Sequence, residues 1–146
     1  MQKEEIHGIS KIPFIVGDAP LVFKGGNCNG SVSVLGMTTL DYGYPILGEY
    51  GEDAIEINIY YEDGELQKYI AKNGIDITIA HASVGSSRIN PTAQNSRRII
   101  SFSYDKNFEE YIINHIEIKA RVKTISKIEI KSLNPRYNVL IYGVFA

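Results

Sequence analysis

The chain has 146 residues, which is room for one domain at about 100–200 residues per domain. With 44% hydrophobic and 22% charged residues it has the make-up of a globular protein, which excludes a disordered chain. Its 15 basic and 17 acidic side chains leave a net charge of −2, so no bulk field draws it to nucleic acid or to anionic lipid. Cys28 is the one cysteine, which excludes an internal disulfide and a disulfide-stapled scaffold.

Residues 1–11 are polar and aperiodic and are expected to form a flexible arm before a single domain over 12–146. Glu4 and Glu5 stand where a signal peptide carries its basic region. The apolar stretch 12–16 stops at Gly17-Asp18, short of a signal peptide's apolar core and of the ~20 residues that span a membrane. The expectation is cytoplasmic synthesis, with incorporation into a particle as a further fate.

Short apolar runs over 13–16, 21–24 and 31–35 read as strands. Cys28 lies between Asn27 and Asn29 in the turn that precedes the third of them. Only Lys24 is a basic neighbour, so nothing marks the thiol as reactive. Residues 36–53 read GMTTLDYGYPILGEYGED, without a period. A loop of this length is usually functional. It holds Tyr42, Tyr44 and Tyr50 among the acids Asp41, Glu49, Glu52 and Asp53. Tyrosine suits a protein interface or core packing, and it can also stack on sugars. Clustered acids are the ligand type that calcium takes. Acids in turns are common without an ion, so no cofactor is expected and calcium is the alternative.

From residue 54 the period becomes two. Ile55, Ile57, Ile59 and Tyr61 alternate with Glu56, Asn58 and Tyr60, and Ile75, Ile77 and Ile79 alternate with Asp76, Thr78 and Ala80. Alternation of this kind marks a strand with one wet and one buried face. Asp63-Gly64 and Asn73-Gly74 are hairpin dipeptides, so residues 54–81 are predicted to form a three-stranded meander. Residues 83–97 are polar and rich in breakers, and Arg88, Arg97 and Arg98 flank this second long loop.

A strand follows at 98–104. Asp105 and the acids after it, with apolar residues at 108, 111 and 112, fit a short helix near 106–112 or a lead-in to the strand at 112–122. That strand turns Ile112, Ile116, Ile118, Ala120 and Val122 inward and His115, Glu117, Lys119 and Arg121 outward. The last strands are 127–133 and 137–145. Eight or nine short strands, rich in the 23 isoleucines, predict an all-β fold. The expected form is an antiparallel two-sheet sandwich, jelly-roll-like or immunoglobulin-like.

Recognised chemistry is sparse. His7, His81 and His115 lack metal-ligand spacing. Gly85-Ser86-Ser87 is not a nucleophile elbow, and no acid pair stands out for glycoside hydrolysis. Three arginines without base-stacking aromatics make no nucleic-acid motif. The expected function is therefore a non-enzymatic structural subunit. It would build a homo-oligomer, filament or virion- or tail-like particle from copies of itself, with or without other assembly proteins. Edge strands and the loops with Tyr42, Tyr44, Tyr50, Arg88, Arg97 and Arg98 would supply the contacts, strand addition being a standard docking mode. The alternative is a carbohydrate-binding sandwich module using the loop 36–53.

Overall fold

The computed structural model of the chain describes residues 2–3, 14–40, 51–73, 75–77, 81–82, 97–102, 110–135 and 137–146. Eleven strands follow one another: β1 (Gln2–Lys3), β2 (Phe14–Val16), β3 (Leu21–Lys24), β4 (Ser31–Leu40), β5 (Asp53–Tyr61), β6 (Leu66–Lys72), β7 (His81–Ala82), β8 (Arg97–Phe102), β9 (Glu110–Lys119), β10 (Ile125–Ser132) and β11 (Tyr137–Phe145). They form a β-sandwich. One sheet has the order β1-β3-β10-β5-β6, and the other runs β2-β11-β4-β9-β7 with β8 also on β9. All pairings are antiparallel except β1 on β3, where Gln2 and Lys3 run parallel to Val22 and Phe23. Asn114 and His115 of β9 pair with Gly36 and Leu35 on one side and with Arg98 and Arg97 on the other. β8 therefore lies across β9 from β4.

The alternation read from the sequence places the core. Ile55, Ile57 and Ile59 on β5 and Ile128 and Ile130 on β10 are wholly buried against Val32, Val34, Ile116, Ile118, Val139 and Ile141 of the facing sheet. Each such side chain contributes about 1.5–3 kcal/mol by leaving water. The apolar C-terminal segment is explained by position, because β11 lies inside its sheet between β2 and β4. Cys28 is buried, its thiol 3.5 Å from the Ser31 carbonyl oxygen.

Several local expectations are corrected. The 54–81 meander stops after the β5–β6 hairpin. Past Lys72 the chain makes a tight turn, with the amides of Ile75, Asp76 and Ile77 all donating to the Lys72 carbonyl. His81–Ala82 then pairs with β9 in the other sheet. A side chain competes here with the Asn73-Gly74 turn signal, since the buried Asp76 carboxylate accepts the Lys72 amide at 2.9 Å and the Tyr69 hydroxyl at 2.6 Å. The short helix is replaced over 110–112 by the start of β9; residues 103–109 lie outside those described. β4 runs on through Leu40, past the expected loop start at residue 36. β9 ends at Lys119, and Val122, beyond it, is 77% exposed and not inward.

Two positions test this packing. A Cβ at Gly25 would fall 1.7 Å from the Ile125 carbonyl oxygen, whereas one at Gly26 would meet nothing within 4 Å. Gly25→Ala is expected to lower stability by about 2 kcal/mol or more, and Gly26→Ala by less than about 0.5 kcal/mol, both read by urea unfolding. Thr38 is 1% exposed and opposite the core residue Val139, and its hydroxyl has no hydrogen-bond partner among the described residues. Thr38→Val keeps the shape and removes an unpaired buried polar group, so it should raise stability by about 1 kcal/mol.

Candidate functional surface

The two sheets differ on their outer faces. On the sheet containing β4, β9 and β11 the outward positions Leu35, Met37, Ile113 and Tyr142 form a second buried apolar cluster. The outer face of the sheet containing β5 and β10 is wet and charged. Cross-strand register sets its side chains in three rows: Lys24, Lys127, Tyr60 and Leu66; Val22, Glu129, Asn58 and Lys68; and Lys131, Glu56 and Ile70.

This face is tightly wired. Lys127 donates to Glu129 at 2.6 Å and lies 4.5 Å from the centre of the Tyr60 ring, whose hydroxyl donates to Glu129 at 3.1 Å. Asn58 donates to Glu56 at 2.7 Å, and Lys68 and Lys131 approach the same carboxylate at 3.3 and 3.8 Å. The Lys127 hydrogen bond holds the Glu129 carboxyl below its ordinary value of 4.5. The Asn58 amide, helped by Lys68, does the same for Glu56. Asn58 is 2% exposed and its Oδ1 accepts no hydrogen bond among the described residues. At the turn of the β5–β6 hairpin a second charged group ties the strands to the β9–β10 turn. Lys123 bridges Asp63 and Glu65 at 2.6 and 2.9 Å, and Arg121 pairs with Glu65.

β6 is the edge of this sheet among the described residues. Edge strands of soluble proteins commonly carry lysine, whose charge repels an incoming strand. Here both lysines are tied back onto β5, Lys68 to Glu56 at 3.3 Å and Lys72 to Asp53 at 2.5 Å. Leu66, at the start of the strand, is 52% exposed. In the other sheet the edge strand β2 has no charge, and its Ile15 is 66% exposed. A depression of about 330 Å³ beside it, between residues 16–18 and the turn holding Leu133 and Pro135, contains a single acid, Asp18.

Of the residues singled out from the sequence, Tyr42, Tyr44, Tyr50 and Arg88 lie outside those described. Arg97 and Arg98 open β8, at register positions opposite His115 and Asn114. Asp41 and Glu49 of the calcium alternative are likewise outside. Of the other two, Glu52 accepts from Asn134 at 2.6 Å and Asp53 is paired with Lys72. Among the described residues no group of three or more metal-ligating side chains occurs, and no helix is long and apolar enough to cross a membrane. His115, read as an outward residue, is half-buried and bonded to the Ser33 hydroxyl at 2.8 Å. Sequence reasoning passed over Glu56, Asn58, Tyr60, Lys68, Lys127 and Glu129 as a group. Each showed only as the polar half of an alternating strand, and nothing local said which strands would be neighbours. No family model, curated protein or solved structure matches the chain.

The carboxylates of the wet face make a pH prediction. A carboxyl whose pKa is lowered on folding adds stability above its unfolded value, and that stability is lost as pH falls through the folded one. Unfolding free energy should therefore fall as pH drops below about 4.5. Glu129→Gln should flatten that fall while lowering stability at pH 7, as read by chemical denaturation across pH 3–7.

Proposed function

We propose that the chain is a non-enzymatic structural subunit that builds a homo-oligomer or larger particle by joining sheet edges. The observation that supports this reading is the open edge at β6. Among the described residues no strand pairs with its outer side, and the two lysines that would guard it are neutralised by Asp53 and Glu56 of the same sheet. Main-chain groups on such an edge are ready to receive another strand, and strand addition joins chains through the hydrogen bonds that already build the sheet. Arg97 and Arg98 at the start of β8 belong to what is, among the described residues, a second edge on the other sheet, where they would meet a neighbour's acids at the rim of a contact. The carbohydrate alternative has no comparable support on the described surface. Tyr60 is the tyrosine of the wet face, and the Lys127 ammonium already covers its ring.

Light scattering coupled to size exclusion tests the reading. A self-assembling subunit elutes with a mass at multiples of 16.3 kDa that rises with loading concentration. A constant monomer mass up to millimolar protein would refute it.

A further inference from the structure

We propose that two copies of the chain join through β6 in antiparallel register about a two-fold axis at Lys68. The inference rests on the self-assembly reading above and names its contact. The hydrogen-bond alternation of the β5–β6 hairpin selects this register. Tyr61 donates its amide to the Glu65 carbonyl at 2.9 Å, and in an antiparallel ladder every second facing pair is hydrogen-bonded. The pairs Ile59–Gln67, Ile57–Tyr69 and Ile55–Ala71 continue that sequence. The backbones of residues 67, 69 and 71 are therefore spent on β5, and those of 66, 68, 70 and 72 point away from it.

Lys72 is then removed from the open set. Its amide goes to the Asp76 carboxylate, and its carbonyl accepts the amides of Ile75, Asp76 and Ile77. The turn over 72–77 thus plugs one end of the edge. Among the described residues, what stays open is a ladder of three residues, Leu66, Lys68 and Ile70, each presenting an amide and a carbonyl.

Only one two-fold arrangement pairs all of these groups. With the axis at Lys68, Leu66 faces the partner's Ile70, the two Lys68 residues face each other, and Ile70 faces the partner's Leu66. Moving the axis to Tyr69 sets Leu66 against the partner's Lys72, where the Asp76 turn already occupies the edge. Moving it to Gln67 sets Ile70 against the partner's Gly64, which has a φ of 89° in the hairpin turn and offers no strand. The Lys68 register also brings the exposed Leu66 onto an apolar partner. It sets two lysines beside two Glu56 carboxylates, so the centre of the contact carries no net charge. Contacts of this kind are isologous and close as a dimer; larger assemblies would then use the other edges.

A disulfide trap tests the register. Facing residues of a hydrogen-bonded antiparallel pair have Cα atoms about 5.5 Å apart, within the roughly 4.4–6.8 Å that a disulfide spans. Lys68→Cys should therefore cross-link to a dimer on mild oxidation, seen on a non-reducing gel. Leu66→Cys should not, because the two copies of residue 66 lie on opposite sides of the axis. Cys28 is buried, and the wild-type chain is the control for it. Ile70→Pro removes an amide that points away from β5, which an edge strand tolerates. It should weaken dimerisation at least tenfold by light scattering, with an unchanged β circular dichroism spectrum. If the wild-type chain assembles but Lys68→Cys stays uncross-linked, the β6 register is overturned while self-assembly stands. If Ile70→Pro fails to fold, the cysteine pair decides alone. If the wild-type chain is monomeric at every concentration, this inference and the reading it rests on fall together.

Discussion

Two sheet faces lined with isoleucine close on each other, and everything else in this protein is arranged around that contact. β5 and β10 are neighbours in one sheet and bring Ile55, Ile57, Ile59, Ile128 and Ile130 to the inner face, all shut off from water. β4, β9 and β11 answer with Val32, Val34, Ile116, Ile118, Val139 and Ile141. β-Branched side chains with few rotamers fit such a pleated interior at low entropic cost. The contact also forces the chain to change sheets repeatedly. β3, β5, β6 and β10 belong to one layer and β2, β4, β9 and β11 to the other.

Once the inner faces are closed, the outer faces decide what the protein can present. One carries a second apolar cluster around Met37 and Tyr142. The other carries ion pairs and hydrogen bonds that run across strands, from Lys68 through Glu56, Asn58 and Tyr60 on β5 to Lys127, Glu129 and Lys131 on β10. Exposed ion pairs add little stability one at a time. Their effect here is positional, because they fix long side chains that would otherwise sweep the surface. They also draw the lysines of β6 inward over their own sheet. A charged outer face and an approachable edge are thus products of the same contacts.

The buried Asp76 ties this arrangement together. Its carboxylate accepts from Tyr69 and from the Lys72 amide, and burial, helped by that carboxylate, drives the Tyr69 phenol well above its ordinary value. A neutral phenol and a carboxylate are natural partners in a half-buried site, so the turn after β6 stays closed. The same turn ends the open edge, so one buried acid sets both where the hairpin stops and how much of β6 a second strand could reach.

From the sequence alone follow the class of fold, the strands with clean alternation and the inward residues on them. Ile55, Ile57, Ile59, Ile116, Ile118, Ile128 and Ile130 declare their own side of the sheet by period. Each alternation is a local property, carried by neighbours two residues apart. Strand order, the lateral rows of the wet face and the open edge at β6 were decided only by tertiary structure. Glu56 and Glu129 are 73 positions apart, and nothing in either segment announces that they will share a face. Asp76 reads as the polar half of a strand until Tyr69 folds back onto it and makes a turn the better use of its carboxylate. Pairing between strands distant in sequence is a matter of which faces and backbone groups meet in space, and that is settled only when the two layers close.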